Sequence, residues 1–347
     1  MTERKTKLME AGLLLLIALG VVFGVWRGLV DAGFRGGLTA SLGAAPAGFW
    51  HAFTQEILLN PWFYGVLVLV CLLERLIPAN PSQTTLSRGV FQDIGAWVPL
   101  TLFAHAFILP LHILFLRYVY EHYLAFLTIK SASSWPWIVR VLLAVLLSDF
   151  LFWLSHWVRH KVLVLWYFHA VHHSQKELNF FTEYRVHPLD DIFLYTVGFI
   201  PFFMFEQSFV TIVAVTWIRH WHTRIYHSNI RSNFGFLRYL IVTPQSHRVH
   251  HSIEPQHFDT NFGLTFSVWD HLFGTQYRGY DEYPATGIDD ERFPFEQAEG
   301  ARLGAVGRLF SQLMYPFEAI ARQAKGATLE PAPAPVSGEP SQPELLS

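Results

Sequence analysis

Three short stretches decide how this chain is read: His156-Trp157-Val158-Arg159-His160, His169-Ala170-Val171-His172-His173 and His247-Arg248-Val249-His250-His251. The chain has 18 histidines. Only His51, His105, His112 and His122 precede the first stretch, and only His257 and His271 follow the last. On a helix, positions i, i+3 and i+4 share one face. His156 and His160 therefore present two imidazoles side by side, and each of the other stretches presents three. Eight imidazoles aimed from three helical turns do not make a hydrophobic core; their common chemistry is transition-metal ligation.

Composition sets the surroundings of that site. Of 347 residues, 52% are hydrophobic and 15% are charged. Soluble domains usually carry about 25% charged residues, and here the apolar residues fall in long runs, which points to a polytopic membrane protein. A net charge of −2 argues against nucleic acid as a partner. The one cysteine, Cys71, has no second thiol to pair with, and this also removes thiolate-rich zinc and iron–sulfur sites. Histidine is left to carry any metal.

Four spans are expected, at about residues 8–26, 61–77, 94–116 and 136–154, each near the ~20 residues a bilayer needs. Arg4, Lys5 and Lys7 place the N-terminus in the cytoplasm, and four crossings return the chain there at His156, where Arg159 and Lys161 fit the positive-inside tendency. Residues 31–60 read as an external loop with an interfacial helix. Pro99 and Pro110 are expected to kink the third span; His105 and His112 share one of its faces and read as packing histidines. The apolar stretch 192–218 is broken near Gly198–Pro201 and at Glu206-Gln207. A single crossing there would strand the third histidine stretch on the opposite side, so a membrane hairpin is expected. The fold class is thus all-α: about four transmembrane helices plus a hairpin, with a cytoplasmic histidine-rich helical cap. The regions are 1–130 (transmembrane and loop), 131–285 (catalytic), 286–328 (amphipathic, its helix at 301–323 lying on the membrane surface) and 329–347 (a disordered, Pro-, Ser- and Glu-rich tail).

Eight clustered histidines exceed the four ligands of one structural zinc ion and suit two ions. His187, fourteen residues after the second stretch, and His227 are added as ligands, while His220 and His222 stay open. The expected ligand set is therefore His156, His160, His169, His172, His173, His187, His227, His247, His250 and His251. Carboxylates should orient the rings: Asp149, two turns before His156 on its face, with Asp190, Asp191 and Asp270.

HWVRH, HAVHH and HRVHH in this order resemble the histidine boxes of the fatty acid hydroxylase/sterol desaturase superfamily of membrane-bound non-haem di-iron oxygenases. Asn261-Phe-Gly263 with Trp269-Asp270-His-Leu-Phe273-Gly274-Thr275 resembles the family's stretch after its last box, which adds Asn261 and Asp270 as supporting residues. Tyr226-His227-Ser228-Asn229 and Arg185-Val-His187-Pro188-Leu-Asp190 resemble further family segments. The likeness spans about residues 136–280. It implies two iron ions held on the cytoplasmic face above a lipid-accessible cleft, O2 as co-substrate, hydroxylation of a lipid C–H bond, and electrons from an external reductase, ferredoxin-like or cytochrome-like donor. Desaturation and ether-lipid monooxygenation are the alternatives within the superfamily, and a histidine-rich metal transporter is the one outside it. The implied location is multi-pass in a bacterial inner membrane. One departure stands out: the ether-lipid-cleaving branch has a glutamate directly after its first box, where this chain has Lys161.

Overall fold

The computed structural model describes residues 61–84, 86–296 and 304–324. The expected first span at 8–26, the loop at 31–60 and the tail at 329–347 lie outside these residues. Among the described residues the chain is helical, with isolated bridges but no named strand. The helices are α1 (Pro61–Leu76), α2 (Arg88–Gln92), α3 (Val98–Val119), α4 (Trp137–Lys161), α5 (Leu163–His173), α6 (Pro188–Gly198), α7 (Ile200–Met204), α8 (Phe209–His227), α9 (Pro244–His250), α10 (Val268–Phe273) and α11 (Ala305–Ala324).

Two helical runs among the described residues are long and apolar enough to cross a membrane: Arg88–Leu127, of 40 residues, and α4, of 25. They contain the expected third and fourth spans. The helix matching the second, α1, is described over the 16 residues Pro61–Leu76. Pro99 falls in the first turn of α3, directly after a π-helical turn at Asp93–Trp97. A proline lacks the N–H of an ordinary helical residue, and an irregular turn is where that loss is tolerated. In α4 the first half exposes Trp137, Ile138, Leu142 and Leu146, whereas Ser148, Asp149, Phe152, Trp153, His156 and Arg159 are buried. The exposed half is apolar enough to face lipid. The buried half builds the site.

The segment 192–218 reverses, as its breaks suggest. Helix α6 stops at Gly198, where α4 comes close: the Ser148 hydroxyl donates to the Gly198 carbonyl at 2.6 Å, and a Cβ on Gly198 would collide with Phe152. Helix α7 ends in a turn in which Glu206 adopts φ +51°, and Ser208 caps α8 by accepting from the Thr211 N–H. The tip of this hairpin meets the turn after the long helical run, where Ile129 N–H donates to the Met204 carbonyl at 3.0 Å. Returning along α8, Arg219 Nη2 reaches the Tyr195 hydroxyl on α6 at 3.2 Å, and Arg224 Nε lies 3.0 Å from Glu183. The return brings His227 to the same end as the first two histidine stretches.

Helix α11 departs from expectation. Its Gln312, Tyr315 and Ala319 are buried against Trp97, Tyr167 and Val171, so much of its inner face closes the protein core rather than lying on lipid. Trp97 Nε1 donates to Gln312 Oε1 at 3.1 Å, and Gln312 Nε2 donates to Glu296 at 2.8 Å. Glu296 also pairs with Arg185 at 2.7 Å, and Arg185 with Asp93 at 2.8 Å. One fully buried guanidinium thus ties the π-helical turn, the segment after the second histidine stretch and α11 together.

Candidate metal centre

Four elements bring the rings together. The last two turns of α4 carry His156 and His160. A single extended residue, Val162 (φ −104°, ψ 109°), lets α5 fold back on them, and the His156 and His169 rings lie 4.9 Å apart. Helix α9 is only seven residues long, yet well started: Thr243 and Ser246 form a reciprocal capping box, with Pro244 in the first turn. The end of α8 supplies His227.

Nine histidines form two groups. His156, His160, His169, His173 and His250 make one; His172, His227, His247 and His251 make the other. Within each group the candidate ligand nitrogens all lie within 4.8 Å of one another. Both triplet stretches divide between the groups. From α5, His169 and His173 go to the first and His172 to the second; from α9, His250 goes to the first and His247 and His251 to the second. The groups share a wall, where His173 stacks on His251 with ring centroids 4.2 Å apart.

The hydrogen bonds fix which nitrogens carry lone pairs. A carbonyl oxygen only accepts, so a ring nitrogen bonded to it carries a proton, and a neutral imidazole then has a bare lone pair on the other nitrogen. His172 Nδ1 lies 3.1 Å from the Arg185 carbonyl and His227 Nδ1 lies 2.8 Å from that of Thr223. Their Nε2 atoms nevertheless face each other at 3.2 Å. In the first group, His156 Nδ1 bonds the Phe262 carbonyl at 2.8 Å, while His169 Nδ1 lies 3.0 Å from the Asp190 carboxylate and 3.1 Å from Arg159 Nη1. Again the two Nε2 atoms face each other, at 3.0 Å. Two lone pairs at that distance repel unless a cation lies between the donors. His250 Nδ1 is held by the Thr260 carbonyl, and its buried Nε2 has no hydrogen-bond partner, nor has that of His160. Orphaning a buried nitrogen costs ~1–3 kcal/mol, a cost that metal ligation removes.

Burial, followed by neighbouring imidazoles or Arg159, lowers the pKa of His169, His172, His173, His247 and His251, and burial pushes that of His250 down to about 4. The rings are neutral at ordinary pH, the form that binds metal. The residues therefore fit two divalent ions with imidazole donors.

The tenth expected ligand stands apart. His187 caps α6: its Nδ1 accepts from the Leu189 N–H at 3.1 Å and its Nε2 donates to the Leu313 carbonyl at 3.2 Å. A histidine ahead of a proline at a helix start is well placed for capping, and both ring nitrogens are used. His222 Nε2 bonds the Val242 carbonyl, and His220 bonds Glu183 and the Tyr195 hydroxyl. Neither belongs to a group.

The carboxylates act at different ranges. Asp190 touches His169 directly and also accepts from Arg159 Nη1 at 2.7 Å. Arg159 is therefore buried beside the rings rather than turned to lipid headgroups, a role its position between two histidines left unmarked. Asp270 touches no ring. It accepts from the N–H groups of Phe262 and Gly263, from Trp153 Nε1 and from the Thr275 hydroxyl, and so fixes the Phe262 carbonyl that holds His156. Asp149 likewise reaches no imidazole; it accepts from Thr265 N–H, Phe266 N–H and Trp269 Nε1. Asp191 bonds His105 at 3.2 Å. Asn261, in the left-handed region at φ +58°, donates to the Ser246 carbonyl and accepts from Tyr277 N–H, pinning the loop to α9. Lys161 pairs with Asp259 at 2.6 Å.

Residues 141–275, which hold both groups, match the family model described as fatty acid hydroxylase. The chain carries a fatty acid hydroxylase domain. Among curated relatives, an ornithine lipid hydroxylase of Rhizobium tropici is 27% identical over 242 residues, covering 68% of this chain and 73% of that protein. The alkylglycerol monooxygenase of Homo sapiens is 27% identical over 222 residues, 62% of this chain and 46% of the relative. That of Caenorhabditis elegans is 28% identical over 170 residues, 48% and 32%. The chain thus spans most of the bacterial relative but less than half of the two animal ones. No solved structure matches it. The matched stretch runs from within α4 to just past α10, and α3 and α11 pack against it.

Proposed function

We propose that this chain is a multi-pass membrane oxygenase that hydroxylates a lipid C–H bond, using O2 and electrons from an external one-electron donor, with its site at the cytoplasmic face. The observation that carries the reading is the pair of facing lone pairs, one in each histidine group, inside a hydroxylase domain. His156, His160, His169, His173 and His250 would hold one iron, and His172, His227, His247 and His251 the other. When bound, such a pair supplies redox chemistry toward O2 that no protein side chain can provide. The chain's own residues do the rest. Backbone carbonyls of Phe262, Arg185, Thr223 and Thr260 fix the ring tautomers. Asp190 adds negative charge behind His169, and such outer partners orient a ligand and raise its basicity. The apolar exposed half of α4 is suited to meet a lipid chain.

A lipid substrate of fatty acyl, sterol or related type agrees with the two kinds of relative, an ornithine lipid hydroxylase and alkylglycerol monooxygenases. Between them hydroxylation is favoured, because the longer match is to the lipid hydroxylase and because Lys161, engaged with Asp259, stands where the ether-lipid branch has glutamate. The test is metal analysis of the purified protein with a turnover assay on membrane lipids. Two irons per chain and a product gaining one oxygen, formed only with both O2 and a reductant, are expected. Iron accumulation inside proteoliposomes without lipid oxidation would replace this reading with transport.

A further inference from the structure

Beside the second histidine group runs a line of polar side chains that ligation does not use. His220, Thr223 and Arg224 precede the ligand His227 on one face of α8, at i, i+3, i+4 and i+7. Against that face stands Glu183, a buried carboxylate that bonds His220 Nδ1 and lies 3.0 Å from Arg224 Nε. On its other side, His220 Nε2 is 3.2 Å from the Tyr195 hydroxyl. The His105 ring lies 5.8 Å from that of His220, centroid to centroid, and His105 Nε2 is 3.2 Å from Asp191. A small pocket of about 20 Å³, room for about one water, is lined by His105, His112, Asp191 and Tyr195 among apolar neighbours. His105, Asp191 and His220 are partly exposed, at 27%, 17% and 22%, and Glu183 is buried at 8%.

The order of donors and acceptors along it has a direction. With Glu183 ionised by its Arg224 partner, His220 Nδ1–H donates to Glu183 and His220 Nε2 accepts from the Tyr195 hydroxyl, which in turn accepts from Arg219 Nη2 at 3.2 Å. A proton arriving at Nε2 releases the one on Nδ1 to Glu183, which moves charge across the ring without moving the ring. The His105 and His220 rings are neighbours in the fold, tilted 51° to each other.

We propose that His105, Asp191, His220 and Glu183 form a proton path from the pocket to Glu183, the buried carboxylate one helical turn from His227 through its Arg224 partner. This rests on the oxygenase reading, whose overall balance is R–H + O2 + 2 electrons + 2 protons giving R–OH + H2O, with the electrons from the external one-electron donor. The two protons must enter a site walled by neutral, buried imidazoles. Besides its own members, the path is faced by Arg219, Arg224 and His227 from α8 and by Tyr195 from α6; none of these lies between His220 and Glu183.

The test uses the full chain with Glu183→Gln, His220→Phe and Asp191→Asn. In metal-free protein, ring-nitrogen NMR reads exchange of the His220 ring proton with D2O, and Asp191→Asn is expected to slow it at least tenfold. In loaded protein, Glu183→Gln and His220→Phe should keep two metal ions, lose at least tenfold in turnover most strongly at high pH, and regain part of it with added imidazole or formate. Metal loss in both variants would make these residues props for His227 and overturn the path, as would unchanged exchange and turnover. If the wild type itself shows no O2-dependent lipid oxidation, the oxygenase reading fails separately, and the exchange measurement still decides whether the path exists.

Discussion

At the residue scale, the protonation pattern of the histidines decides what the site can do. His172 and His227 both spend their Nδ1 protons on carbonyl oxygens, which leaves two acceptors facing each other at 3.2 Å. His172→Ala is therefore expected to lower bound iron from two per chain toward one and abolish turnover, measured by elemental analysis and lipid product; retained turnover would remove His172 from the ligand set. Asp190→Asn keeps the shape but weakens the anion behind His169. Its expected cost is roughly 10–100-fold in metal affinity, read by competition with a chelator. His187→Ala should leave iron content unchanged and cost about 1 kcal/mol of stability, the usual loss of a helix cap, measured as a shift in melting temperature. Its place fourteen residues after the second stretch drew His187 into the ligand set, but both of its ring nitrogens are consumed within the fold.

At the element scale, short helices and tight joints carry the geometry. The single-residue joint at Val162 folds α5 back onto α4, and no composition signal marks it. Gly198 is another such place. It sits where α4 and α6 touch, and a methyl group there would push Phe152 aside, so Gly198→Ala is expected to destabilise by about 1–3 kcal/mol through overpacking. The buried Arg185 is the joint of greatest reach: its side chain binds Asp93 and Glu296 while its carbonyl holds His172. Glu296→Ala leaves Arg185 paired with Asp93 but orphans buried donors of Arg185 and Gln312, at a cost of ~1–3 kcal/mol. Thermal unfolding should show that loss, and occupancy of the second group should fall more than that of the first. The apolar spacing of α11 was legible in the sequence. That its face would close over Trp97 and Tyr167 rather than rest on lipid was not, because an apolar stripe has the same pattern against either partner.

For the whole molecule, the site is a set of neutral rings held together by burial, and acid should take it apart. The folded-state pKa values of His169, His172, His173, His247, His250 and His251 lie below the ordinary 6.5, with that of His250 at about 4. Between those values and 6.5 the unfolded chain binds more protons than the folded one, so stability rises with pH. The contribution is complete above about 6.5 and is lost as pH falls toward 4. Metal-free protein in detergent should therefore show a melting temperature that drops steadily from pH 7 to pH 4.5, and bound metal should raise it most near pH 7 and steepen that dependence, because protons compete with the metal for the rings. What the sequence determined by itself was the helical class, the apolar runs, the hairpin breaks at Gly198–Pro201 and Glu206-Gln207, and the kinship of the histidine stretches. All of these are local, because periodicity, turn chemistry and residue type are properties of neighbouring positions. Only the tertiary structure decided how the triplets divide, with His169 and His173 in one group and His172 in the other, and which carbonyl fixes each ring. It also turned Asp149 and Asp270 toward backbone amides instead of imidazoles. A side chain's donor or acceptor role is set by whatever packs against it, and some of those partners, Phe262 for His156 and Thr265 for Asp149 among them, lie more than a hundred residues away in the chain.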